Sequence, residues 1–452
     1  TDSLAFMSVA MSRAISDRLG NISGLVVIAQ TSSSQFGEDG GDVREIGQNL
    51  DVNYLMEGDL RMEGNRIRLS TRLINAANGR VQWQKQYDQE FETIMDLEDD
   101  IGDNIVRELR VEVFPDEFLR LRKRITENSE AYKLYLKGSE LGQKRGQESL
   151  TEAIKLIEEA IVLEPDFAKA HAELVIAYNL LNNYGELSRE MMIDKMQVHL
   201  QRAQEIDPDL PEVHFATSRV EEIINRDSTK HLFHLREAIR INQNYAPAHY
   251  ALSNTLSNIG FGHSAIKPLQ NANRLDPYND LYAARLAYAY RYTLNEPEKA
   301  MEILDRMLDK DSTARACANH KARILTSSPY GDIARAFITI HKTREDDNYE
   351  AVQLWTMIDF CMSLDLAPLV ERYTNLLQWK YPNNDLALWS KQQLNQFKNQ
   401  NRDNLDLLKI AVANNRVSNE SAQVDLAREY FYLNEYEKAE ELLDKRFPEL
   451  AK

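Results

Sequence analysis

Residues 150–180, LTEAIKLIEEAIVLEPDFAKAHAELVIAYNL, decide the architecture of most of the chain. Ala153, Ile157 and Ala160 recur at helical spacing, and Leu163-Glu164-Pro165-Asp166 then stops the helix. Leu174 and Tyr178 mark a second helix directly after the stop. The same punctuation returns at Ile206-Asp207-Pro208-Asp209 and at Leu275-Asp276-Pro277-Tyr278. Each proline follows an alanine five residues earlier: Ala160, Ala203 and Ala272. Ala265, Leu269 and Ala272 precede Pro277, and Leu286, Ala287 and Tyr290 follow it. Leu426, Ala427, Tyr430, Ala439 and Leu443 fit one more such unit near the end.

This arrangement resembles the tetratricopeptide repeat, a helix hairpin of about 34 residues closed by proline. Small residues sit where the two helices cross closely, and large ones fill the space between hairpins. No hairpin buries its apolar face alone, so hairpins stack. The pattern predicts eight or nine repeats over 129–452, with 116–128 as a linker helix. Gln243 stands where one proline is expected, and 314–348 match poorly.

The first 112 residues have a different period. Leu4, Met7, Met11, Ile15 and Leu19 predict an amphipathic helix that ends at Gly20-Asn21. Leu25-Val26-Val27-Ile28-Ala29 predicts a buried strand. Asp42 is placed to cap a helix with Val43, Ile46 and Leu50 inward. Three strands follow, over Val52–Met62, Arg66–Asn75 and Val81–Phe91, with turns at Glu63-Gly64-Asn65 and Ala77-Asn78-Gly79. In the middle one Ile67, Leu69, Thr71 and Leu73 alternate with Arg66, Arg68, Ser70 and Arg72. A helix from about Thr93 to Val113 closes the unit, with Pro115 marking its end.

Over Leu4–Val113 this order resembles the TolB-amino-terminal-like domain. The resemblance is carried by Val43-Arg44-Glu45-Ile46-Gly47, Glu57-Gly58, Gly64-Asn65-Arg66-Ile67-Arg68, Leu73-Ile74-Asn75-Ala76 and Trp83-Gln84-Lys85-Gln86-Tyr87-Asp88. The fold it implies is an α/β domain over 1–115, TolB-N or anticodon-binding-like, followed by an all-α tetratricopeptide superhelix. Family members begin with one more strand before the first helix, and that first strand is missing here. An upstream segment or a partner chain is therefore expected to complete the sheet beside Leu25–Ala29. In bacterial signalling proteins this pair of domains stands beside an effector, either a winged-helix DNA-binding domain joined through a membrane helix, as in CadC-like regulators, or a nucleotide cyclase. Neither effector is visible in these residues. The resemblance implies a sensory or interaction region with no catalytic residues, in the periplasm or cell envelope, with the cytoplasm as the alternative.

Composition narrows the function further. The 452 residues carry 54 Lys and Arg against 71 Asp and Glu, a formal charge of −17, which argues against direct nucleic-acid binding. The 43% hydrophobic content suits a large core, and no apolar run reaches the roughly 18 residues that span a bilayer. The chain opens on Thr1 rather than Met, so its natural start is expected upstream. Cys317 and Cys361 cannot form a disulfide framework and read as buried thiols. No phosphate-binding glycine motif or metal-binding His motif is present, so no cofactor or metal is expected. Gly37, Gly40 and Gly41 flank acidic Glu38, Asp39 and Asp42, which would repel phosphate. Asp96, Glu98, Asp99, Asp100 and Asp103 lack calcium-loop spacing and read as a solvated helix face. His171 and His249 fall at bulky packing positions, and His231 and His234 are two potential ligands at most. Arg107, Arg110, Arg120, Arg122, Lys123 and Arg124 form a basic cluster, read as a surface that pairs with the chain's own carboxylates in preference to an anionic docking patch.

The inner face of the repeats is the best functional surface. In the register set by Pro277, Tyr288, Arg291 and Tyr292 face inward, as do Asn254 and Asn258 one repeat earlier. Tyr and Arg suit hot spots, and Asn holds a peptide backbone by paired hydrogen bonds. The expected function is non-enzymatic capture of a protein or peptide partner. The alternatives are the regulatory half of a cyclase or winged-helix regulator, or a scaffold subunit of an envelope assembly.

Overall fold

The computed structural model describes residues 2–36, 41–63, 66–90, 94–143, 146–182, 188–326, 335–336, 339–340, 351–363, 367–382 and 384–397, with 406, 409, 426, 430, 435, 438 and 441 beyond them. Two compact units follow one another, Thr1–Ala289 and Tyr290–Lys452.

The first unit opens with α1 (Asp2–Gly20). Its Met7, Met11, Ile15 and Leu19 form one buried stripe, continued by Ile22; the Leu4 side chain lies outside the described residues. A short helix, α2 (Gln30–Ser33), precedes α3 (Val43–Leu50). The Asp42 carboxylate accepts the Arg44 N–H, as the cap requires. In α3 Leu50 is buried, with Val43 and Ile46 half-buried. The strands β1 (Tyr54–Glu63), β2 (Arg66–Asn75) and β3 (Arg80–Glu90) form an antiparallel meander in that order. Leu60 faces Leu69, which faces Tyr87 on the other side. The β2 alternation is the expected one, with Ile67, Leu69, Thr71 and Leu73 inward. Gly79 turns the second hairpin at φ 69°, a conformation that favours glycine. α4 (Ile94–Leu109) lays Met95, Leu97, Ile101 and Ile105 into the core that holds the α1 stripe, Ile67 and Leu69.

Three expectations are corrected here. Leu25–Ala29 is not a buried strand: among the described residues it joins no sheet, and Val26 is 53% exposed. Its backbone is satisfied instead by the turns of the helical array. Pro115 does not end α4, which stops at Leu109 with Arg110 left-handed at φ 52°. It opens α5 (Pro115–Arg122), where a missing N–H breaks no helical bond, and Glu117 accepts the Phe114 N–H at 3.0 Å. The acidic string on α4 is not a solvated face. Glu98 is 1% exposed and both its oxygens lie 3.0 Å from the Tyr132 hydroxyl. Asp100 accepts from Lys85 and Tyr87, and Asp103 pairs with Arg122.

Helix hairpins fill the rest of the unit: α6 (Ser129–Gln143) with α7 (Gln147–Leu163), α8 (Ala168–Asn182) with α9 (Arg189–Ile206), α10 (Pro211–Val220) with α11 (Ser228–Ile241), and α12 (Ala246–Asn258) with α13 (Gly262–Leu275). Ala153, Ala160, Ala203, Ala238 and Ala272 are fully buried at the crossings. Where Gln243 stands in place of proline, the Asn242 side chain accepts the Asn244 N–H at 2.8 Å and closes the turn. The sheet ends at Glu90 and α4 follows before the expected linker 116–128, which holds most of α5, while one buried core runs from Met7 to Val220 on both sides of that stretch.

α14 (Asp280–Tyr292) begins in the first unit and ends in the second. The second unit continues with α15 (Pro297–Lys310), α16 (Arg315–Thr326), α17 (Ala351–Ser363), α18 (Ala367–Lys380) and α19 (Asp385–Phe397). Leu354, Met357, Ile358, Val370, Tyr373 and Leu377 are buried together. The poorly matching stretch 314–348 covers α16 and residues mostly outside the described ones. Of the expected last repeat, Leu426 and Tyr430 are helical, while Ala427, Ala439 and Leu443 lie outside them.

Two outcomes are expected. A methyl at Gly138 would meet Ile157 Cγ1 at 2.6 Å and the Ala153 carbonyl oxygen at 2.9 Å, so Gly138→Ala should force α6 and α7 apart. Urea melts should report a loss of roughly 1–3 kcal/mol, the usual range for overpacking. Burial raises the Glu98 carboxyl from 4.5 to about 7, against the opposing pull of Arg18 and the Tyr132 hydrogen bond. The folded state therefore holds this proton more tightly than the unfolded chain, and stability falls as pH rises from 4.5 to 7. Glu98→Gln should match the parent at pH 4 and exceed it at pH 8, by on the order of 3 kcal/mol in denaturant melts.

Candidate interaction surface

The first helices of successive hairpins, α6, α8, α10 and α12, form one row, and α1 lies against its early part. The Lys169 ammonium on α8 reaches Asp17 on α1 at 3.1 Å and Glu212 on α10 at 3.0 Å. Burial works against the Lys169 charge, but Asp17 and Glu212 outweigh it and hold its pKa well above the ordinary value. Burial likewise opposes the Asp17 charge, and Lys169 and Arg13 overcome it. Arg13 is enclosed near Glu173 of α8 and Glu140 of α6. A charge network between α1 and three first helices thus occupies this part of the face.

Asn254 on α12 is half-buried and Asn258 is exposed. Tyr288 on α14 is half-buried, with the Arg285 guanidinium 5.2 Å from its ring centre. The packing positions Leu286 and Ala287 are buried, as their register requires. In the second unit Arg291 is half-buried and stands 5.3 Å over the ring of Tyr292, which is 43% exposed.

The basic cluster divides by partner. Arg122 pairs with Asp103, Lys123 with Asp207 at 2.5 Å, and Arg124 with Asp96, Asp99 and Glu127. Self-pairing is thus the observed role of these three. Arg107 and Arg110, both exposed, border a cleft of about 270 Å³ floored by Val106, Val111, Val113 and Leu121. Cys317 and Cys361 are buried, and burial pushes the Cys361 thiol up to about 11, away from reactivity. Among the described residues no helix is long and apolar enough to cross a membrane, and no group of three or more His, Cys, Asp or Glu side chains is arranged to hold a metal. Of the expected loop 37–42, Gly37, Glu38, Asp39 and Gly40 lie outside the described residues.

No family model matches the chain. A Rhizobium meliloti (strain 1021) protein named "Putative adenylate cyclase 3" is 32% identical over 158 residues, 35% of this chain. The chain spans about a quarter of that relative's length, 27%. Among solved structures, yeast Tom70 is similar at TM-score 0.48 and 17% identity, over 71% of this chain and 66% of its own. Pseudomonas aeruginosa PilF is similar at 0.37 and 17%, over 50% and 97%. The Thermus thermophilus tetratricopeptide protein TTC0263 is similar at 0.35 and 18%, over 44% and 100%.

Sequence reading missed a feature that repeats along the row. His171, His214 and His249 occupy the same position in α8, α10 and α12, and the first two each meet a histidine of the following helix. His171 and His199 approach Nδ1 to Nδ1 at 3.0 Å, as do His214 and His234. His171 Nε2 lies 3.2 Å from the Pro165 carbonyl, which can only accept, so that nitrogen carries the proton. Neutral His171 Nδ1 is then the acceptor, and His199 Nδ1–H must donate to it. His231 is not part of a pair with His234: it is buried against the Ser218 carbonyl and the Thr255 hydroxyl.

Burial, and then the neighbouring His171, lower the His199 pKa from 6.5 to about 4. A base depressed by folding takes up its proton more readily in the unfolded chain, so stability is lost as pH falls from 6.5 to 4. His199→Asn keeps a donor for His171 and has no proton to take up. Its acid limb in pH-dependent melts should be shallower than the parent's over that window.

Proposed function

We propose that the chain is a non-enzymatic interaction region that captures a protein or peptide partner on the first-helix face of its repeats. Asn254, Asn258 and Tyr288 of the first unit are proposed contacts, as are Arg291 and Tyr292 of the second. One observation carries this reading. At equivalent places past the turns, α8 carries Ile176 and Leu180, packed against the core, whereas α12 carries Asn254 and Asn258. An amide at these places adds nothing to a core, but it can both donate to and accept from a peptide backbone. Tyr288 and Tyr292 follow Asn254 and Asn258 by one repeat of about 34 residues. They bring area with a polar tip, the character of an interface hot spot.

The ordered motifs over Leu4–Val113 support placing the chain among bacterial signalling or regulatory proteins with a TolB-amino-terminal-like domain, acting in the periplasm or cell envelope. The similarity to a cyclase-named protein favours a second reading, in which this chain is a non-catalytic, regulatory portion of a cyclase-type protein. Formation of cyclic AMP from ATP and magnesium by the purified chain would overturn the non-enzymatic reading.

The capture test uses the purified chain as bait in a crosslinked lysate of its source. Asn254→Ala/Asn258→Ala/Tyr288→Ala should reduce recovery of the partner by roughly tenfold or more, with thermal stability nearly unchanged. Arg291→Ala should act in the same direction. Equal recovery by parent and variants would remove these residues from the contact.

A further inference from the structure

The segment after α1 follows the turns of the array in chain order, held by main-chain atoms as far as Ala29 and by the side chains of Thr31, Ser32 and Phe36 after it. In the turn before α12, the Asn244 amide donates to the carbonyls of Gly20 and Leu25 at 2.9 and 3.0 Å, and its Oδ1 accepts the Val27 N–H at 3.1 Å. In the turn before α14, the Leu275 carbonyl accepts the Ala29 N–H at 2.7 Å. Asp276 Oδ1 accepts from the hydroxyls of Thr31 and Ser32 at 2.7 and 2.5 Å. Ser32 Oγ in turn accepts the Tyr278 N–H at 2.9 Å, and the Phe36 ring stands edge-on to Tyr278.

Backbone bonds of this kind, with a few side-chain contacts that fix the register, are how a protein holds a bound peptide. The apolar side chains of the segment are held less firmly than its hydrogen-bonding groups. Leu25 and Val27 are partly buried at the edge of the core, Ile28 is half-buried and Val26 is largely exposed, so none of these four apolar residues is fully buried. Each such hydrogen bond is worth only about 0.5–1.5 kcal/mol net. Covalent attachment through α1 supplies the rest, because a tether of this kind corresponds to an effective concentration in the millimolar range.

We propose that Asn244, the Leu275 carbonyl, Asp276 and the Tyr278 N–H form a peptide-binding surface, filled in cis by Gly24–Ser33 and open to the same segment of a second copy of the chain. Its ligand is a non-helical apolar stretch followed by a Thr-Ser hydroxyl pair on one helical turn. The surface lies along the turns, not on the first-helix face, so it is separate from the partner contact proposed above.

The test breaks the segment and leaves the surface intact. In the full chain, Val27→Pro/Ala29→Pro/Ser32→Ala removes two donated N–H groups and one hydroxyl, and Ala29 already has φ −60°, which proline accepts. A fluorescent peptide of residues 22–36 should bind this variant at least tenfold more tightly than the parent by anisotropy. Adding Asn244→Ala/Asp276→Ala should abolish binding. A well-folded segment variant that binds the peptide no better than the parent would overturn the proposal. A second measurement on the parent needs no substitution: the Val27 and Ala29 amides should exchange with deuterium through local opening, faster than the core amides of α8 and α12. Protection equal to that of the core would also overturn it, since a segment that opens only on global unfolding exchanges with nothing.

Discussion

The first unit depends on one ammonium group. Lys169 is held between Asp17 and Glu212, and these carboxylates belong to helices far apart in the chain. A lysine in this setting, unpaired, would lose its proton or be expelled, because the desolvation of a single charge costs several kcal/mol. Two carboxylates reverse that balance and draw α1 down onto the row of first helices. Once α1 is seated, its apolar stripe is fixed against α4 and the sheet, so the sheet region and the repeats share one core.

The same logic orders the acidic face of α4. Net charge of −17 would leave an isolated acidic helix repelling the rest of the molecule. Instead Asp96 and Asp99 receive Arg124 from just past α5, Asp103 receives Arg122 from its last turn, and Asp100 receives Lys85 and Tyr87 from β3. Most of these pairs are partly exposed and individually weak. Their effect lies in direction: they orient α4 toward the basic end of α5, and Lys123 then continues the connection to Asp207 in a turn of the repeats. Glu98, on the buried side of α4, touches the first repeat through Tyr132.

Local periodicity carried most of the architecture. The alternation in Arg66–Asn75, the stripe from Met7 to Leu19 and the alanines before each turn are each dictated by a few residues and their neighbours, so the sequence alone reveals them. Leu25–Ala29 misled for a physical reason. An apolar β-branched run signals an extended backbone, and Ala29 at its end is extended, but nothing local says whether its partners are strands or turns more than two hundred residues away. The acidic string misled likewise, since a carboxylate is solvated by default and only the fold supplies Arg18, Arg122 and Arg124. The histidine pairs were legible in part: His171, His214 and His249 each stand seven residues past Glu164, Asp207 and Asn242, a recurrence open to counting. Their partners His199 and His234 become neighbours only when the hairpins close. The proposed contacts rest on register, which the burial of Leu286 and Ala287 supports for α14; what binds there is set by a partner absent from the sequence.

The array uses its polar residues in two distinct ways, and position separates them. Side chains in the turns, such as Asp207, Asn244 and Asp276, face atoms of the same chain and are consumed by Lys123, the extended segment and its hydroxyls. Side chains on the first helices change along the row: Lys169, Glu173 and Glu212 are engaged near α1, and then Asn254 and Asn258 stand where α1 no longer reaches. A groove filled by its own chain cannot offer that part to another molecule without first breaking buried ion pairs, which is strongly unfavourable. The contact proposed above is therefore placed at α12 and beyond, where desolvating a neutral amide costs far less than separating Lys169 from its carboxylates. The seating of α1 on the early first helices is thus what directs the proposed contact to the later ones.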